Sequence, residues 1–145
     1  MDFDIKFEGL DGIIKKIDKI DDVKSLTSAM YDVCDLVESS AKDKAPKDTG
    51  ALRRSIQSKV EVTGNEIDGI VFTPLEYAPY IEYGTGLYAE NGNGRQTPWV
   101  YRDDKGKYHY TKGYKGTTGH GTPYMRPALN ENKDEIIQII KEALG

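Results

Sequence analysis

The stretch VKSLTSAMYDVCDLVESSA, residues 23–41, decides the fold. Val23, Leu26, Met30, Val33, Val37 and Ala41 step by 3, 4, 3, 4 and 4 residues. That spacing lays one apolar stripe along a helix of about five turns. Pro46 closes the helix, because the residue before a proline avoids the helical region. The same spacing suits a coiled coil, but the stripe runs under three heptads, so a helix packed on a sheet is expected.

The flanks supply the sheet. Phe3, Ile5 and Phe7 alternate with Asp2, Asp4, Lys6 and Glu8, the period-two pattern of a half-buried strand that Gly9 then breaks. Leu10, Ile13, Ile14 and Ile17 recur at helical spacing, which predicts a short amphipathic helix ending near residues 20–22. Beyond the long helix, Asp48-Thr49-Gly50 reads as a turn and cap before a short helical or extended piece over residues 51–56. Two strand-like runs, residues 56–62 and 66–72, join through Thr63-Gly64-Asn65. Asp68-Gly69 interrupts the alternation of the second run, so a bulge is expected near Gly69. Pro74 ends this hairpin. Residues 127–144 read as one helix with Leu129, Ile136, Ile137, Ile140 and Leu144 on a face and Pro127 in its first turn. Local hairpins with grouped helices mean α+β: a small antiparallel sheet packed by the long helix and a C-terminal helix.

A chain of 145 residues is one domain's worth, and residues 1–145 are expected to form a single domain. Its 31 Leu, Ile, Val and Phe residues are spread unevenly. Residues 77–124 hold only Ile81, Leu87 and Val100 of them, yet contain nine of the ten Tyr, the only Trp and nine of the fifteen Gly. Within this region Trp99-Val100-Tyr101-Arg102 and Lys107-Tyr108-His109-Tyr110 flank Asp103-Asp104-Lys105-Gly106, which predicts a β-hairpin. Glycine-rich stretches at residues 91–94 and 113–121 bracket it. The reading is a Gly/Tyr-rich loop and extended hairpin arm over residues 84–122 that orders against a partner. The alternative is a hairpin that extends the domain's own sheet. Charge follows the same division: residues 84–127 carry seven basic and three acidic groups in a chain whose net charge is −4.

These numbers exclude several classes. No apolar run approaches the roughly 20 residues of a membrane span, and MDFDIKFEGL lacks a signal peptide's basic and apolar regions. Neither a transmembrane nor a classically secreted protein is expected, and no membrane partner. Cys34 is alone, which leaves no intramolecular disulfide and no cysteine zinc site; Met30, Val33 and Val37 around it suggest a buried thiol. His109 and His120 are eleven residues apart without nearby cysteines, so no metal is expected. There is no G-x-S-x-G elbow and no Walker loop, and Gly84-Thr85-Gly86 lacks a third glycine, so no cofactor, no catalytic residue and no enzyme are expected. Basic residues interleave with aromatics over residues 95–115, which suits nucleic acid. A nucleic-acid-binding accessory protein is therefore the alternative function, disfavoured by an overall pI near 5.2.

Three stretches carry a resemblance: Ala45-Pro46-Lys47-Asp48-Thr49-Gly50-Ala51-Leu52-Arg53-Arg54-Ser55-Ile56, Tyr77-Ala78-Pro79-Tyr80-Ile81-Glu82-Tyr83-Gly84-Thr85, and Pro123-Tyr124-Met125-Arg126-Pro127-Ala128-Leu129. In this order, between a long amphipathic helix and a terminal one, they resemble the HK97 gp10-like family of tailed-phage neck and tail-completion proteins, over roughly residues 10–144. The resemblance implies a non-enzymatic structural protein of a phage or prophage. It implies a ring-forming subunit in head–tail joining or tail completion, located in the virion neck or tail after assembly in the host cytoplasm. Its implied partners are copies of itself and neighbouring head-closure, neck or tail-tube proteins. The residues expected to make these contacts are Tyr80, Tyr83, Trp99, Tyr101, Arg102, Tyr108, Tyr110 and Arg126. Arg126 is read as docking the last helix or pairing with a carboxylate such as Glu82.

Overall fold

The computed structural model describes residues 3–6, 20–47, 50–64 and 66–145. The short helix expected after Gly9 and the Asp48-Thr49 turn lie outside the described residues. The chain divides into two compact units: Leu75–Pro123 forms one, and the residues up to Pro74 together with Tyr124–Gly145 form the other.

In the larger unit, strands β1 (Phe3–Lys6), β2 (Gln57–Thr63) and β3 (Glu66–Thr73) form an antiparallel sheet in the order β1-β3-β2. Helix α1 (Ile20–Lys44) lies over it. Of the stripe anticipated along this helix, Leu26, Met30, Val33, Val37 and Ala41 are buried and Val23, at its start, is half-buried; Ala29 and Cys34 join the core. On β3, Ile67, Gly69, Val71 and Thr73 are buried on the face that alternation sets toward the helix, and Ile70 on the other face is buried as well.

The expected bulge at Gly69 is absent. The β2–β3 register runs unbroken from Gln57↔Phe72 through Val60↔Gly69 to Thr63↔Glu66. The glycine serves a different purpose. A Cβ at position 69 would sit 2.5 Å from Met30 Sδ and 2.8 Å from Cys34 Sγ, so its bare backbone admits the two sulfur-bearing side chains of α1. Glycine in a strand marks either a bulge or a close approach, and here the helix above decides which.

The segment after α1 is built to stop that helix. Ala45 N–H still donates to Ala41 O at 2.9 Å, and Pro46 follows. Gly50, at φ +73°, turns the chain into a short helix α2 (Ala51–Ser55). Arg53 Nε donates to Lys42 O at 2.9 Å, satisfying a carbonyl that the end of α1 leaves open. Leu52 and Ile56 are buried, and Ser55 Oγ lies 2.6 Å from Thr73 Oγ1 at the end of β3. The first of the three motifs therefore fastens the exit of the long helix to the sheet.

The C-terminal segment is two helices rather than the single one expected, α4 (Met125–Asn130) and α5 (Lys133–Leu144); α3 belongs to the other unit. The break falls where Asn132 bonds back to the preceding helix: its N–H reaches Leu129 O at 3.3 Å and its Nδ2 reaches Ala128 O at 2.7 Å. Asparagine competes for backbone partners in this way, which a count of apolar spacing does not register. Ile136 and Ile140 are buried on α5, and α1 packs against both helices. Helices on a small antiparallel sheet confirm the α+β class.

The smaller unit has little regular structure: helix α3 (Ala78–Tyr83), a 3-10 turn (Gly86–Tyr88), and strands β4 (Trp99–Arg102) and β5 (Tyr108–Thr111). The two strands pair only with each other, from Trp99↔Thr111 to Arg102↔Tyr108, so the hairpin is a separate sheet and does not extend the three-stranded one.

Candidate functional site: an aromatic hairpin and its cavity

The turn of the hairpin is organised by Asp103. Its Oδ1 accepts the backbone N–H of Lys105 at 2.9 Å and of Lys107 at 2.8 Å. Its Oδ2 accepts His109 Nε2–H at 2.7 Å. The hydrogen bond from His109, then that from the Lys107 backbone, holds the Asp103 carboxyl below its ordinary range. The His109 ring in turn stacks on Tyr101, centroids 5.1 Å apart. Gly106, at φ +82°, completes the turn, and its carbonyl accepts Arg102 Nε–H at 3.3 Å.

Pairing register sorts the strand residues into two faces. One carries Trp99, Tyr101, His109 and Thr111; Trp99, His109 and Thr111 are half-buried there. The other carries Val100, Arg102, Tyr108 and Tyr110, and all four are exposed. Tyr108 at 69%, Tyr110 at 68% and Val100 at 61% lead the exposed large apolar side chains of the described residues. Arg102 lies over the Tyr108 ring, 5.8 Å from its centroid.

The glycine-rich flanks do not leave this hairpin loosely hung. Leu87 N–H donates to Lys112 O at 3.0 Å, Thr85 N–H to Tyr114 O at 3.3 Å, and Tyr114 N–H to Thr85 Oγ1 at 2.7 Å. Gly86 and Gly113 stand where these two stretches touch, and a Cβ on either would run into the other's backbone. Further along, Thr122 N–H donates to Ile81 O at 2.7 Å, and its hydroxyl lies 2.7 Å from the Tyr114 hydroxyl. The glycines are the price of close backbone contact.

Beside the hairpin is an open cavity of about 860 Å³. Pro79, Tyr80 and Tyr83 of α3 line one part, the loop from Gly84 to Arg95 lines much of the rest, and Trp99 contributes its ring. Arg95 sits 5.4 Å from the Trp99 centroid, a cation–π contact. Pro79 falls in the first turn of α3, which suits its fixed φ, and Gly84 ends the helix at φ +80°. The second motif thus presents Tyr80, 58% exposed, and a half-buried Tyr83.

Of the eight residues expected to make contacts, Tyr80, Tyr83 and Trp99 come together at the cavity. Arg102, Tyr108 and Tyr110 share the exposed hairpin face, and Tyr101 lies on the opposite face. Arg126 belongs to the larger unit, half-buried in the first turn of α4. The sequence reading missed Val100 and Arg95. Strict alternation would have placed Val100 beside the tyrosines, whereas nothing local marks Arg95 as the partner of Trp99. Among the described residues, no group of three or more His, Cys, Asp or Glu is placed to hold a metal ion. No helix there is long and apolar enough to cross a membrane.

No curated protein and no solved structure matches the chain. One family profile does, that of "Bacteriophage HK97-gp10, putative tail-component", over residues 11–84. The match contains the first motif and the second as far as Gly84, and it stops short of the hairpin and the third motif. It spans half of the chain, through the long helix and strands β2 and β3, with β1 outside it: the chain belongs to the HK97 gp10-like family of bacteriophage tail components.

Proposed function

We propose that the protein is a non-enzymatic subunit of a phage or prophage neck or head-proximal tail, forming a ring that acts in head–tail joining or tail completion. The observation that carries this reading, beside family membership, is the set of solvent-facing large apolar side chains, mostly tyrosines, in Leu75–Pro123. Tyr80, Val100, Tyr101, Tyr108 and Tyr110 are between 47% and 69% exposed. Monomeric proteins rarely leave such surface bare, and tyrosine contributes large contact area with few torsions to freeze. A head-to-tail ring interface uses two different patches of one subunit. In this reading Tyr80, Tyr83 and Trp99 at the cavity, Arg102, Tyr108 and Tyr110 on the exposed hairpin face and Tyr101 on the opposite face make contacts in the smaller unit, and Arg126 makes them from the larger one. Its partners are copies of itself and adjacent head-closure, neck or tail-tube proteins, and its place is the virion after assembly in the host cytoplasm.

The test is sedimentation over a concentration series together with deletion of residues 99–110. The expected result is oligomers for the full chain, and a shortened chain that keeps its helical circular dichroism but no longer assembles. If the deletion leaves ring formation and tail joining untouched, the reading is wrong.

A further inference from the structure

The hairpin's outer face has a chemically matched surface elsewhere on the same chain. That face holds Val100, Arg102, Tyr108 and Tyr110, and Lys112, in the bend that follows β5, is exposed beside its end. Its charges are positive; the carboxylate of Asp103 is engaged within the turn, and Asp104 sits in the turn beyond the strands. On α1, the side away from the core carries Ser28, Asp32, Asp35 and Ser39 at helical spacing, all exposed, with Tyr31 54% exposed at its margin. No Lys or Arg occurs between Lys24 and Lys42, while Asp32, Asp35 and Glu38 do.

We propose that the outer face of the 99–111 hairpin of one copy docks on the solvent-facing stripe of α1 in a second copy. This rests on the ring reading above and names its interface. Arg102 and Lys112 meet Asp32 and Asp35, and the short serines leave room for the rings of Tyr108 and Tyr110. The lengths agree: a four-residue strand spans about 13 Å, and Ser28 to Ser39 spans about 16 Å of helix. Like faces repel, since hairpin against hairpin opposes cations and helix against helix opposes carboxylates. The unlike pairing is the one that charge favours, and such a head-to-tail pairing builds a ring where its rotation closes. Nucleic acid fits the face less well. Arg102 on the strand and Lys112 just beyond it neutralise few phosphates, in a chain of net charge −4.

The experiment replaces Tyr108 with p-benzoylphenylalanine in the unlabelled full-length chain, mixes it with ¹⁵N-labelled wild type at concentrations up to millimolar, and maps the photo-cross-links. The expected cross-link joins Tyr108→p-benzoylphenylalanine to the labelled tryptic peptide of residues 25–42. Asp32→Lys with Asp35→Lys in the labelled chain, whose residues 25–42 trypsin then cuts into shorter peptides, lowers the summed yield of cross-links into all of those peptides at least tenfold, and adding Arg102→Glu to the cross-linking chain restores it in part. Cross-links to another peptide of the second copy, to the same chain only, to added DNA only, or to nothing overturn the proposal. Oligomers that form while the cross-link maps elsewhere overturn the interface and leave the ring reading standing. A chain that stays monomeric throughout overturns both.

Discussion

Around α1, order comes from side chains: Val33 and Ala41 are fully buried, Ile56 is 1% exposed, and the missing side chain of Gly69 is filled by Met30 and Cys34. In Leu75–Pro123, order comes from the backbone. Its stretches are joined by N–H to carbonyl bonds such as Leu87 to Lys112 and Thr122 to Ile81, and many of its large side chains, Tyr108 and Tyr110 foremost, face water. The difference teaches how one chain divides its labour. Aliphatic interdigitation supplies stability that is insensitive to what lies outside, because burial is complete without a partner. A glycine and hydrogen-bond scaffold holds a shape while its aromatic surface remains available.

The contrast can be broken most readily at the core. Ile56→Ala should lower unfolding free energy by about 2–5 kcal/mol in guanidinium titrations, whereas Leu87→Ala, at a 42% exposed position of the smaller unit, should change it by no more than about 0.5 kcal/mol. Equal losses would erase the distinction. Gly69→Val tests close approach against backbone need: over-packing beneath Met30 and Cys34 should cost about 1–3 kcal/mol in the same titration. A neutral result would mean that the helix lifts away at no cost.

The two units also differ in how their titrating groups are held. Burial raises the Cys34 thiol to about 11, with Asp35 and Glu38 adding to the effect and a backbone hydrogen bond from Ile70 opposing it. Relative to the ordinary value of 9.0, this leaves about a hundredfold less thiolate at pH 8. Native protein should accordingly react with Ellman's reagent at least that much more slowly than unfolded protein. Fast native labelling would show that α1 opens readily.

Asp103 works in the opposite direction and in the other unit. Its folded-state value is depressed below 3.8, so its stabilisation of the hairpin turn is present above that value and is lost as pH falls through the lower, folded one. NMR shifts of Tyr101 and Gly106 should lose their dispersion in acid below that range while α1 keeps its helical signal. Simultaneous loss of both would tie the hairpin to the core more tightly than two separate units allow.

How much of this was legible follows the same division. The α1 stripe, the β2–β3 hairpin and the Trp99 hairpin were all readable, because period 3.6 and period 2 are local signals. The bulge at Gly69 and the unbroken C-terminal helix were misread for one reason. A glycine that admits a helix and an asparagine that turns back on its own helix look locally like ordinary interruptions or ordinary helix positions. At the candidate site the aromatic inventory was visible and most of the eight residues were named. Their sorting into a cavity group and an exposed face needed the register of β4 and β5.

The sequence by itself determined the α+β class, the core stripe, the segregation of aliphatics from aromatics and the phage tail-component family. It could do so because burial pattern and composition are properties of neighbouring residues along the chain. Only the tertiary structure decided that the glycines of the smaller unit are points of backbone contact, that Gly69 is a seat for two sulfurs, and that Val100, Arg102, Tyr108 and Tyr110 share one open face. Each of those depends on what another segment places opposite a residue, and that is set by packing over distances no local pattern encodes.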